Sequence, residues 1–126
     1  MTSILAKLGA ITYLLWGLLH IEAARRVYAL GQSLETGMLQ GRIFQDAFYL
    51  LCFALFAIYV AVLCNWKNNR LGYFLNLIVI SAADIGYIIF VLAPGYVPIM
   101  PGALGPLLWV LAVIFSTAAI RGATQP

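Results

Sequence analysis

Apolar residues run almost unbroken through four stretches, Ile4 to Ala24, Ile43 to Cys64, Leu71 to Leu92 and Gly102 to Ile120, with short polar segments between them. Each is close to the roughly 20 residues that a helix needs to cross a hydrocarbon core about 30 Å thick. None shows the alternation of a membrane β-strand. Helices then remain as the spanning structure that satisfies every backbone polar group inside lipid. The pattern predicts an all-α integral membrane protein, an antiparallel four-helix bundle forming one domain over residues 1–126.

Punctuation along the chain fits that layout. Gly31 and the polar run Gln32 to Gln40 end the first helix, which charge spacing at Glu22, Arg25 and Arg26 extends to about Leu30. Asn65 to Asn69 makes a tight polar turn, and Pro94, Gly95, Pro98, Pro101 and Gly102 break the chain before the fourth span. Lys7 ahead of an apolar run resembles a signal peptide, but the run is too long and has no small-residue cleavage pattern, so the first stretch is taken as a true span. Internal repeats of the inverted-transporter kind are absent.

Composition sharpens the class: 64% of residues are hydrophobic, 9% charged, and the mean hydropathy is +1.00, against about 25% charged in soluble domains. The net charge of +3 comes with no basic patch of interleaved aromatics, so nucleic acid is not expected as a partner. The charge reads as topology instead. Lys7, Lys67, Arg70 and Arg121 fall on one side of the bundle and Arg25, Arg26 and Arg42 on the other, which favours cytoplasmic termini in a bacterial-type plasma membrane. Cys52 and Cys64 are twelve positions apart, too far to pair, and read as buried free thiols.

The candidate chemistry lies in the few ionisable groups inside the spans. With a rise of about 1.5 Å per residue, Asp84 falls roughly 10 Å below the face opposite the termini, and His20 and Asp46 roughly 5 Å below it. Burying an acid near a helix centre costs about 2.5–3.5 kcal/mol on insertion scales, so Asp84 should face the interior and find a partner. Tyr73, Asn76, Ile80, Asp84 and Tyr87 share one stripe of the third helix, and Tyr13, Trp16 and His20 share one face of the first. The spacing predicts a polar cleft in which Asp84, Asp46 and His20 are acid–base groups. Arg25, Arg42, Tyr87, Asn76, Trp16 and Glu22 are its candidate ligand contacts. Glu22 points away from His20; Arg42 can pair with Asp46 four residues on. One histidine with distant thiols gives no metal set, and no cofactor motif is present.

Three functions follow. The first is handling of an apolar or amphipathic small molecule or lipid in that cleft; as an enzyme it would be an acid–base isomerase or cyclase on a lipid-like substrate. The second is a non-catalytic accessory or structural subunit of a membrane complex, the same residues fixing helix pairing. The third is a small proton-linked transporter completed by homo-oligomerisation.

Overall fold

The computed structural model describes residues 2–123, excluding the side chain of Thr2. Helix α1 covers Thr2–Gln32 and α2 covers Met38–Leu63. A 3₁₀ turn at Asn65–Lys67 leads to α3, Arg70–Tyr87, which continues as a π-helical turn over Ile88–Leu92. The short α4, Ile99–Gly102, precedes α5, Leu104–Ala123. Among the described residues there are no strands. Helices α1, α2, α3 with its π turn, and α5 are each long and apolar enough to cross a membrane, which suggests an integral membrane protein.

The connections have local causes. The side-chain amide of Gln40 donates to the carbonyls of Gly31 and Leu34, which closes the end of α1. Asn69 caps α3 by accepting from the amides of Leu71 and Gly72. Asn68 before it takes the left-handed conformation at φ 54°, which asparagine tolerates better than most residues. Lys7 lies over the Trp66 ring, 5.6 Å from its centroid, so the start of α1 meets the α2–α3 turn on the terminal face.

Around the ring, α1 packs against α2 and α5, and α3 packs against the same two, which leaves α1 and α3 on a diagonal. Small residues recur every seven positions where α1 meets its neighbours: Ala10, Gly17, Ala24 and Gly31 on α1, Ala47, Ala54 and Ala61 on α2, Gly105, Ala112 and Ala119 on α5. All are buried. A seven-residue repeat keeps one seam facing its partner along a left-handed crossing, and small residues let backbones approach closely in lipid. A Cβ at Gly17 would stand 2.9 Å from the Ala54 carbonyl oxygen, and one at Gly9 would strike Ser116. Large side chains fill the α1–α3 diagonal: Tyr13 and Trp16 from α1 meet Ile80 from α3 over Ala57, Ala61 and Ala112.

The helices extend past the apolar runs most at the end of α1, which reaches Gln32, and at the start of α2. There the helix begins at Met38, not Ile43, because Met38–Arg42 continues the same helix beyond the apolar run. Cys52 also departs from expectation: it is exposed on α2, and Cys64 is half-buried.

Candidate functional site

Trp16 and His20 stand one helical turn apart on α1, so their rings stack, with centroids 3.7 Å apart and planes at 20°. The Trp16 indole N–H donates to Asp84 Oδ2 at 2.9 Å. This hydrogen bond crosses the bundle diagonal and joins two helices whose backbones stand apart and that meet through side chains. On the other side of the carboxyl group, Asp84 Oδ1 has no hydrogen-bond partner and faces His20 Nε2 at 3.8 Å.

The tautomer follows from the opposite ring nitrogen. His20 Nδ1 lies 2.7 Å from the Trp16 carbonyl oxygen, an atom that only accepts, so Nδ1 carries a proton. In a neutral imidazole Nε2 is then a bare lone pair aimed at a carboxyl oxygen. Two acceptors facing one another are mutually repulsive, so the pair is at ease only with a shared proton, on the carboxyl group or on Nε2. Asp84 is 1% exposed and the His20 side chain 12%, which makes the imidazole the part of the site open to its surroundings.

Gly105 forms the wall beside this gap. A Cβ at that position would lie 2.9 Å from His20 Cε1, 3.3 Å from Nε2 and 3.8 Å from Asp84 Oδ1, so any side chain there displaces the imidazole. Because α5 starts only at Leu104, the site lies level with that helix's first turn, whose positive dipole end favours a carboxylate nearby. Beyond this level α1 continues for twelve residues to Gln32, about 18 Å of helix, while the fourth corner is taken by the 93–103 connection. Tyr87, three residues after Asp84, ties that connection down by donating to the Gly102 carbonyl at 3.0 Å.

Asp46 is not part of the constellation. Gly31 and Tyr28 pack on Phe44, and Gly17 packs on Ala54 and Ile58. That antiparallel register sets Asp46 roughly 10 Å beyond His20 along the bundle, given the helical rise. It is exposed and makes no hydrogen bond or ion pair among the described residues. The expected common level fails because the register puts Asp46 near the level of Tyr28 on α1, past the end of the apolar run at Ala24. Arg42 does not pair with Asp46 either; its Nη1 donates to Gln45 Oε1, and Gln45 in turn donates to Tyr49. Arg25 grips Glu22 through two hydrogen bonds of 2.8 and 2.7 Å, with Arg26 adding a third at 3.0 Å, all on the outer surface of α1.

Asn76 belongs to a second polar level nearer the terminal face. Its amide donates to Asn65 Oδ1 at 2.8 Å and to the Ala57 carbonyl at 3.3 Å, and Tyr73 bonds Thr117 nearby at 3.1 Å. A crevice too narrow to admit a water molecule lies at this level beside Asn65, Asn68, Tyr73 and Ser116, and a groove of about 260 Å³ runs between α1 and α2. Neither touches Asp84, whose surroundings are filled by the Trp16 and His20 rings; the expected cleft is therefore not where the stripe of Asp84 and Asn76 placed it.

Sequence reasoning missed Gly105 as a site residue. Its signal was the seven-residue spacing to Ala112 and Ala119, which puts it on the inner face of α5. Comparison of the chain with protein-family models, curated proteins and solved structures finds no match.

Proposed function

We propose that this protein handles an apolar or amphipathic small molecule or lipid at the His20–Asp84 pair, with the pair exchanging a proton. One observation carries the reading: a buried carboxyl oxygen without a partner faces an imidazole nitrogen whose tautomer offers it only a lone pair, across 3.8 Å. A purely structural carboxyl group in an apolar bundle gains nothing from such a vacancy, since an unsatisfied buried polar atom costs about 1–3 kcal/mol. A ligand hydroxyl, or a double bond awaiting a proton, would reach the pair from the His20 side, the more exposed of the two, by displacing the imidazole. Trp16 orients the carboxyl group, and Gly105, having no side chain, lets the imidazole stand beside it.

The chemistry that this pair offers is a double-bond shift. Protonated Asp84 gives its proton to one carbon of the double bond, His20 Nε2 takes a proton from the allylic carbon on the other side of the resulting cationic centre, and transfer from His20 back to Asp84 restores the starting state. Arg25, Arg42 and Glu22 lie apart from this step, on the outer surface.

The test is mass spectrometry of small molecules and lipids retained by the purified protein. Asp84→Asn keeps an acceptor for Trp16 and removes the proton; His20→Gln removes the base. Both should lose a species that the wild type keeps, at unchanged helicity. Identical retention by all three proteins would sink the reading.

The close fit of the Trp16 and His20 rings around Asp84 favours a second reading, a non-catalytic membrane subunit in which the carboxyl group pins α3 to α1. In that case Asp84→Asn leaves retained molecules unchanged, and Asp84→Leu weakens only stability or assembly.

A further inference from the structure

The terminal face and the groove between α1 and α2 are unused by the His20–Asp84 pair, and they share an edge. The groove, about 260 Å³, is lined by Ala10, Ile11, Leu14, Ala61, Val62 and Trp66, almost wholly apolar. It exists because Ala10 and Ala61 belong to the small-residue seams, so two helices that approach closely leave a furrow on their outer side. From Lys7 to Leu14 it follows seven residues of α1, about 10 Å, running from the end of the bundle toward its middle.

Charge sets its mouth apart. Lys7 lies at that end with its ammonium group 5.6 Å from the centre of the Trp66 ring, and Lys67 and Arg70 sit on the adjoining turn. Every acidic residue of the chain, Glu22, Glu35, Asp46 and Asp84, lies in the other half of the bundle or beyond it. Among the described residues the terminal face thus carries basic side chains and no acidic side chain, while the opposite face balances Arg25 and Arg26 with Glu22. An aromatic ring and a cation at headgroup level above an apolar furrow complement a phosphate group and the acyl chain below it.

The geometry points to a binding site for an anionic phospholipid, one acyl chain lying in the Ala10–Leu14/Ala61–Trp66 groove and its phosphate at Lys7 and Lys67. Zwitterionic lipid fills the same furrow but gains less at the mouth, where each basic side chain is worth about fivefold in binding to an anionic surface. The site is independent of the His20–Asp84 pair.

Native mass spectrometry of the full chain in detergent, given equal amounts of phosphatidylglycerol and phosphatidylcholine of the same chain length, tests it. One phosphatidylglycerol should remain per chain, favoured about fivefold or more. Lys7→Ala should erase most of that preference. Val62→Phe, at an exposed position in the groove wall, should reduce retention of both lipids, and Arg26→Ala on the opposite face should leave the preference unchanged. On the wild-type protein in vesicles, brominated phosphatidylglycerol should quench tryptophan fluorescence more strongly than brominated phosphatidylcholine, a difference that Trp66→Phe removes. Equal retention and quenching by the two lipids, a preference that survives Lys7→Ala, or a lipid-free dimer with a second copy in the groove would each overturn the proposal.

Discussion

Helices α1, α2 and α5 meet along seams of alanine and glycine, whereas α3 is fastened to the other three mainly by side-chain hydrogen bonds. On the first side, Gly17 lies against Ala54 and Gly9 against Ser116. On the second, Asp84 bonds Trp16, Asn76 bonds Asn65, Tyr73 bonds Thr117, Ser81 accepts from Trp109, and Tyr87 reaches Gly102. Lipid is as apolar as leucine, so burying a large apolar side chain between membrane helices gains little. Close backbone contact and polar pairs are what remain to hold them. The seams fix how near the helices come; the hydrogen bonds fix where along α1 the third helix sits. Only the second kind of contact contains groups able to exchange a proton.

The sharpest way to break the contrast is Gly17→Leu. The new side chain meets a backbone oxygen that cannot move aside, and overpacking of this kind costs about 3 kcal/mol. Thermal unfolding in detergent should show the largest loss of the series. Asp84→Leu comes next, at about 2 kcal/mol, since it leaves the buried Trp16 N–H without an acceptor. Adding Trp16→Phe should restore most of that loss, because removing both partners is close to neutral. No recovery in the double variant means that the carboxyl group is held by something other than this bond.

Gly105→Ala should cost about 1 kcal/mol yet shift the NMR signals of the His20 ring strongly and reduce any retained ligand; an unmoved His20 signal argues against Gly105 as the wall of the gap. Tyr73→Phe should have the smallest effect, about 0.6 kcal/mol, the average for hydrogen bonds between membrane helices. A loss above that of Asp84→Leu would reverse the order of importance along α3.

Much of this was legible in the residues. Four apolar runs gave the spans because hydropathy is a local property, and the stripe of Asn76, Ile80 and Asp84 is buried as its spacing required. Trp16 and His20 could be put on one face of α1 for the same reason. What a single helix cannot reveal is which neighbour stands across the bundle. The diagonal bond from Trp16 to Asp84 depends on ring order, and that order is set by small residues at every seventh position whose individual identities attract no notice. Asp46 falls away from His20 because the apolar runs of α1 and α2 do not end at one level: Phe44 packs beside Tyr28 and Gly31, beyond Ala24. Gln40, Gly41 and Arg42 are polar or small but helical all the same, carried by the packing of Phe44 against Tyr28.

The bond that crosses the diagonal also constrains how the chain is built into a bilayer. The first two spans have what they need in one another, since their glycines and alanines mate directly, and can settle as a hairpin as soon as both have left the translocation machinery. The third emerges carrying a carboxyl group whose partners are already folded, so it must slide alongside and seek Trp16 before the last span closes the ring. If the spans enter a bilayer in chain order, that acid has the Trp16 indole as its hydrogen-bond partner before the fourth span brings Gly105 beside it.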